Sequence, residues 1–329
     1  MRPEMTMPIG DRLGWSAALL RLALVWTLLA IATATQWAQM AHQWWNIDTY
    51  SHILLIPAIV AWLVWLRREA LAAIVPSSWW GGLAWMALGL FVWVAGRGFD
   101  INLFAQAGTL MAFQGAAMAM IGLRASLLLA LPIAYSSLLV PFGDEIIPQL
   151  QAVTAMLATA LSHASGIATV SNGIYIDTPA GLFIVAEACS GVKFLIAMIA
   201  LGILVIFTCF DSWQRRLLFL LACLVVPIVA NGIRAWATIF IAQYVGAEAA
   251  GSFDHIVYGW IFFAIVIALV LGTAWRWFER DPEDAGWTVG EVERMAGASG
   301  LLDRGVSAAV ITGLCAAITL AFVAIAWLG

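Results

Sequence analysis

Apolar residues in this chain fall in long blocks separated by short polar loops. The blocks approach the roughly 20 residues that an α-helix needs to cross a hydrocarbon core about 30 Å thick. Read this way, spans are expected at about Trp15–Gln39, Ile53–Leu66, Trp79–Ala95, Leu103–Gly122, Ala125–Val140, Cys189–Phe210, Leu217–Tyr244, Ile256–Trp277 and Val306–Leu328. The first is long for a secretory signal and runs straight on into further spans, so it reads as a retained signal-anchor. Between the fifth and sixth blocks the pattern changes. Ile146–Gly166 is apolar enough to pass for a span, yet it contains Gln149, Gln151, Thr154, Thr159, Ser162 and His163. It is read as an amphipathic or re-entrant helix lying on one face of the membrane. Ile167–Ile184 mixes Gly, Asn, Asp and Pro with alternating Ile174, Ile176 and Phe183, Val185, which predicts a short β-hairpin.

The expected fold class is therefore all-α: a polytopic membrane bundle of about eight or nine transmembrane helices. An amphipathic helix and a hairpin form an insertion over residues 141–186. The organisation expected is a transmembrane core over 1–280, a mostly acidic, mobile loop over 281–305 and a C-terminal transmembrane helix over 306–329.

Composition agrees. The chain is 64% hydrophobic and 10% charged, where a soluble domain carries nearer a quarter charged residues. Its 18 Trp suit interfacial belts, with Trp44-Trp45 and Trp79-Trp80 reading as anchors. No basic tract points to nucleic acid, and the four cysteines have neither metal-ligand spacing nor the pattern of a disulfide framework. No cofactor or metal is expected. Charge sets the expected orientation. Arginines occupy the N-terminus (Arg2, Arg12) and the loops at Arg67-Arg68, Arg124, Arg215-Arg216 and Arg276–Arg304. The loops around Trp44–Ser51, Pro141–Glu145 and Gly246–Asp254 have none, and Arg97 is the single exception to the alternation. The positive-inside rule then puts the N-terminus in the cytoplasm, provided that 146–166 does not cross.

With that orientation, three chemically distinctive residues reach the outer face. Cys189 opens the sixth span, where a helix N-terminus favours the thiolate, and Lys193 one turn on would add to that. Arg234 lies in the seventh span, where a charge at the bilayer centre costs roughly 2.5–3.5 kcal/mol and so usually serves a cavity or a partner. Asn231, three residues earlier, shares its helix face, and both side chains could donate to a developing oxyanion. His255 opens the eighth span and is a natural acid–base group. Asp254 is adjacent in sequence but does not face it on a helix, so no triad is assumed. Each has a plainer reading: a buried small residue for Cys189, a snorkelling side chain for Arg234, a polar helix start for His255. His52, His42 and His163 compete for the base role, and from chemistry alone His52 ranks almost level with His255. Cys209, Cys223 and Cys315 read as buried small hydrophobes.

The runs Ala186-Glu187-Ala188-Cys189-Ser190-Gly191, Ala230-Asn231-Gly232-Ile233-Arg234 and Asp254-His255 with Gly259–Phe263 resemble the exosortase/archaeosortase family. Tyr50-Ser51-His52 and Pro141-Phe142-Gly143-Asp144-Glu145 also match bacterial exosortases, most like the exosortase A type. The likeness implies a cysteine transpeptidase of the bacterial inner membrane, with its active site on the periplasmic side and Cys189, Arg234 and His255 as its catalytic residues. Asn231, Lys193, Glu187, His52 and Asp254 would be supporting groups. The implied partners are exported proteins ending in a Pro-Glu-Pro motif, one transmembrane helix and a basic tail, together with an acceptor nucleophile and the lipid bilayer. Two other classes compete: a non-catalytic component of exopolysaccharide assembly or export, and a transporter. The transporter lacks the paired broken helices its class would show.

Overall fold

A computed structural model describes residues 14–253, 259–298 and 306–328 of the chain. By its internal contacts the chain forms two compact units, Met1–Pro141 with Gly286–Gly329, and Phe142–Ala285. The last helix belongs to the first unit because it packs with the first helices. The fold is an all-α membrane bundle. Among the described residues six helices are long and apolar enough to cross a bilayer, or up to eight if each of two bent helix pairs, over 130–164 and 261–297, counts as one span.

The first unit contains α1 (Trp15–Ala32), α2 (Ala34–Asn46), a 3-10 segment Asp48–Leu55 leading into α3 (Ile56–Leu66), and the short α4 (Arg68–Ala72). It continues through α5 (Trp80–Gly98), α6 (Asn102–Leu128) and α7 (Ala130–Tyr135). Its centre is the antiparallel pair α5/α6. Gly82, Gly89 and Gly96 recur every seventh residue on α5 and meet Ala119, Ala112 and Ala105 of α6. A Cβ added at these glycines would lie 2.1, 2.5 and 2.3 Å from the backbone nitrogens of those alanines. Small residues let helix backbones approach closely where apolar burial cannot drive association in lipid. Polar side chains join the helices further. Trp93 Nε1 donates to Gln36 Oε1 at 2.9 Å, Gln106 to Gln43 at 2.8 Å, and Gln114 to the Ile133 carbonyl at 2.9 Å. We expect Gly89→Leu to prevent the pair from closing, with a lower melting temperature and poor recovery from detergent. Gly98→Ala, where an added Cβ meets nothing within 4 Å, should behave as wild type in the same assay.

Two expectations are corrected in this unit. Ala125–Val140 is not one helix. Gly122 adopts φ 87° and breaks α6 upstream, Leu129 leaves helical geometry, and Pro132 withholds an amide from the next turn. Nor is 281–305 a plain polar loop. Residues Val289–Ala298 form α13, with Val292 and Ala296 fully buried, and Arg124 Nε pairs with Glu293 at 3.0 Å. A capping box starts it: Thr288 N donates to Glu291 Oε2 at 2.8 Å, and Glu291 N donates to Thr288 Oγ1 at 3.3 Å. α14 (Ala308–Leu328) is the C-terminal apolar helix expected from the sequence.

The second unit opens with α8 (Ile147–Ala164) and a three-stranded antiparallel sheet, β1 (Val170–Asn172), β2 (Tyr175–Thr178) and β3 (Gly181–Ile184), in the order β1-β2-β3. The sequence predicts two strands here; a third precedes them, turning at Gly173 with φ 61°. A 3-10 turn, Glu187–Cys189, then leads into α9 (Val192–Thr208). Next come α10 (Trp213–Val245), α11 (Ala247–Phe253) and α12 (Gly259–Ala274). α9 runs out about 26 Å at 1.5 Å per residue, and α10 returns beside it.

The far end of this unit is tied by a cluster around Glu279. Its Oε2 accepts the amides of Asp211 and Ser212 at 2.7 and 2.8 Å, capping the start of α10, and its Oε1 meets Arg215 at 3.0 Å. Arg280 pairs with Asp211 at 2.8 Å. The Ser212 amide, with the Asp211 amide and Arg215, holds the Glu279 carboxyl below its usual range. A depressed folded pKa gives stability that is present above the unfolded pKa, about 4.3, and is lost as pH falls through the folded value. Melting temperature should therefore drop below about pH 4 in the wild type, and Glu279→Gln should flatten that acid limb.

Candidate active site

The 3-10 turn after β3 carries Cys189, and the chain then reverses at Gly191, whose φ of 83° is the left-handed conformation glycine tolerates. A Cβ there would fall 2.7 Å from the Asn231 side chain. The turn is held from two sides. Asn231 Nδ2 donates to the Cys189 carbonyl at 2.8 Å and to Thr154 Oγ1 at 3.0 Å. Thr154 Oγ1 in turn donates to the Ser190 carbonyl at 3.4 Å. Gln151 Nε2 donates to the Val185 carbonyl at 2.8 Å, fixing the chain just before the turn.

These contacts explain the polar residues of α8. The sequence suggests an amphipathic helix, and the helix forms, but Gln151, Thr154 and Ser162 are buried and two of them grip the site. Thr154 is the residue that sequence reasoning missed. Its only signal was a polar set inside an apolar block, read as an amphipathic or re-entrant helix.

Cys189 is half-buried. It lies two residues before the N-cap of α9, not on the helix itself, so the expected i, i+4 alignment with Lys193 does not occur. Lys193 Nζ sits 5.2 Å from the Phe194 ring. Arg234 is only 7% exposed, with its guanidinium 5.8 Å from the same ring. Phe194 stacks on Phe263 of α12 at 4.6 Å, which joins α9, α10 and α12 beneath the site. Cys189, Asn231 and Arg234 all line one half-open pocket of about 80 Å³, together with Phe183, Val185 and Ile239. The structure thus places Cys189 and Arg234 on one pocket. Both hydrogens of the Asn231 amide are engaged, by the Cys189 carbonyl and by Thr154 Oγ1.

Glu187 is exposed. His255 and Asp254 lie outside the described residues. His163, at the C-terminal end of α8, is engaged with the Thr169 carbonyl at 2.7 Å. It is nine residues beyond Thr154, roughly 13 Å along the helix. His42 and His52 belong to the first unit. His42 Nδ1 contacts Asn46 Nδ2 at 3.0 Å, and His52 Nδ1 contacts the Thr49 carbonyl at 3.1 Å. The other three cysteines are buried, as expected. Among the described residues no group of His, Cys, Asp and Glu could hold a metal ion.

Fold and site together define a multi-pass membrane protein with a thiol and a buried guanidinium on one pocket. The chain belongs to the transmembrane exosortase family, whose characteristic sequence it matches over residues 44–272. That stretch holds every residue of the site described here. No curated protein and no solved structure matches the chain.

Proposed function

We propose that this exosortase is a cysteine transpeptidase of the bacterial inner membrane that cleaves the C-terminal sorting signal of exported proteins, a Pro-Glu-Pro motif followed by a membrane helix and a basic tail. The observation that carries the reading is the shared pocket of Cys189 and Arg234, held by Asn231 and Thr154. A buried charge is costly and a rigidly presented thiol needs dedicated contacts; together they favour a nucleophile beside an anion-stabilising group.

In the proposed reaction His255 takes the thiol proton, and Cys189 Sγ attacks the scissile carbonyl carbon. The carbonyl π pair moves to oxygen, where Arg234 donates hydrogen bonds. Collapse breaks the C–N bond, and the departing amine takes its proton from the His255 imidazolium. The thioester left on Cys189 is attacked by an acceptor amine, which yields its proton to His255, and the thiolate is released. Water in place of the amine gives hydrolysis.

The periplasmic placement draws support from the arginine distribution along the loops. It also draws on the distance between Cys189 and the Arg215/Arg280 cluster, which sits at the opposite end of α9. A single-cysteine protein, with Cys209, Cys223 and Cys315 replaced by Ser, tests it. A membrane-impermeant maleimide should label Cys189 in intact cells. Labelling that requires opening of the inner membrane would overturn the placement.

A further inference from the structure

The pocket that holds Cys189 also touches the last strand of the sheet in an unusual way. Ile176 and Phe183 line it from the inner face of the sheet, and Ile184 lines it from the outer face. Successive residues of a strand point to opposite faces, so a pocket lined from both lies at an edge strand's open side or at its end. β3 is that edge strand: the order is β1-β2-β3, and among the described residues no fourth strand pairs with it.

The register shows which backbone groups face outward. β2 and β3 pair as Thr178↔Gly181, Asp177↔Leu182 and Ile176↔Phe183, and Val185 N donates to the Ile174 carbonyl at 2.9 Å. In an antiparallel ladder the hydrogen-bonded pairs alternate. Gly181, Phe183 and Val185 therefore face β2, while Leu182 and Ile184 turn their amides to the open side. The Ile184 carbonyl is taken by the Ala186 amide at 3.0 Å. The Leu182 amide and carbonyl and the Ile184 amide remain directed outward. The side chains of Leu182 and Ile184 are 59% and 53% exposed, and β3 carries no Lys or Pro, the residues that commonly block such edges. From Ile184 the chain reaches Cys189 in five residues.

We propose that β3 is the substrate-docking strand: an extended segment of the exported protein, next to its scissile bond, adds to the open edge as a fourth strand. The inference rests on the cysteine-peptidase reading above. The occupant is a polypeptide and not a lipid headgroup, because the open groups are a main-chain donor–acceptor ladder and the strand runs directly into the nucleophile turn. Ladder hydrogen bonds would fix the depth and direction of the peptide, and the pocket beside Cys189 would accept a small apolar side chain.

Disulfide trapping tests this in the full-length protein in nanodiscs, with Cys189→Ala and the other native cysteines replaced by Ser. Leu182→Cys is added, and a tailed substrate protein carries a single cysteine at successive positions before the motif. Oxidation by copper phenanthroline should trap every second substrate position, the period of a paired strand. Equal trapping at consecutive positions, or none, would overturn the proposal. In the otherwise wild-type enzyme, Leu182→Pro removes an outward amide without touching the ladder to β2, and cleavage should fall about tenfold or more, while Ser171→Pro, the equivalent change on the opposite edge strand β1, stays within about twofold. Wild-type rates in Leu182→Pro would also count against β3. The two readings fail separately: cleavage by the Cys189→Ala protein sinks the peptidase, whereas a dead Cys189→Ala protein without alternate trapping sinks only the docking strand.

Discussion

Cys189→Ala should abolish cleavage of a tailed substrate, lowering the rate by at least about three orders of magnitude, because alanine cannot form the proposed acyl intermediate. The protein itself should remain intact. Cys189 is half-buried, and it is its backbone carbonyl, which alanine keeps, that accepts the Asn231 amide at 2.8 Å. Melting temperature and detergent behaviour should therefore stay near wild type. Cys223→Ala gives the opposite pattern. Cys223 is fully buried against Gly202 between α9 and α10, so its loss opens a small cavity, lowers stability modestly and spares turnover. Parallel assays of cleavage and thermal unfolding on the two variants separate chemistry from packing. Residual cleavage by Cys189→Ala near the wild-type rate would remove the nucleophile from the scheme.

Arg234→Gln should lower turnover by about 10²–10³, the usual loss when one oxyanion donor is removed, with little change in KM. Arg234→Lys keeps the charge but not the planar fork, and should recover only part of the rate. The geometry supports a role specific to the transition state. The guanidinium is buried, lines the pocket of Cys189 and lies 5.8 Å from the Phe194 ring, an arrangement that pre-sets its direction. A purely structural arginine would instead show matched losses in stability and in activity. Steady-state kinetics in nanodiscs, set beside melting curves, distinguish the two.

How legible the site was in the sequence depended on how unusual each residue is in its surroundings. Cys189 and Arg234 stand out as reactive or charged groups in an apolar chain, and the structure brings them to one pocket. Thr154 does not stand out, because threonine within an apolar helix is ordinary; only its contacts with Asn231 and Ser190 reveal its use. The alignment expected for Lys193 assumed an unbroken helix from Cys189, and the left-handed Gly191 breaks it. Hydropathy located the spans but passed over two local effects. The turn at Gly122 and the proline at 132 divide Ala125–Val140, and both residues were visible without showing which conformation they would take. Counting charges made 281–305 a loop. The Thr288-x-x-Glu291 capping box ahead of Val289, Val292 and Ala296 was the overlooked helix signal. The seven-residue glycine repeat of α5 was equally present in the sequence; its meaning needs the matching alanines of α6, a long-range relation that one helix does not display.

The central claim is that Cys189 carries the acyl group between cleavage and transfer. The measurement that meets it most directly is intact-protein mass spectrometry of a His255→Ala protein incubated with tailed substrate and quenched in acid. The account predicts an adduct with the mass of the processed substrate, mapped to Cys189 and removed by hydroxylamine, as a thioester requires. Cleaved substrate with no adduct on Cys189, or an adduct on any other residue, would contradict it.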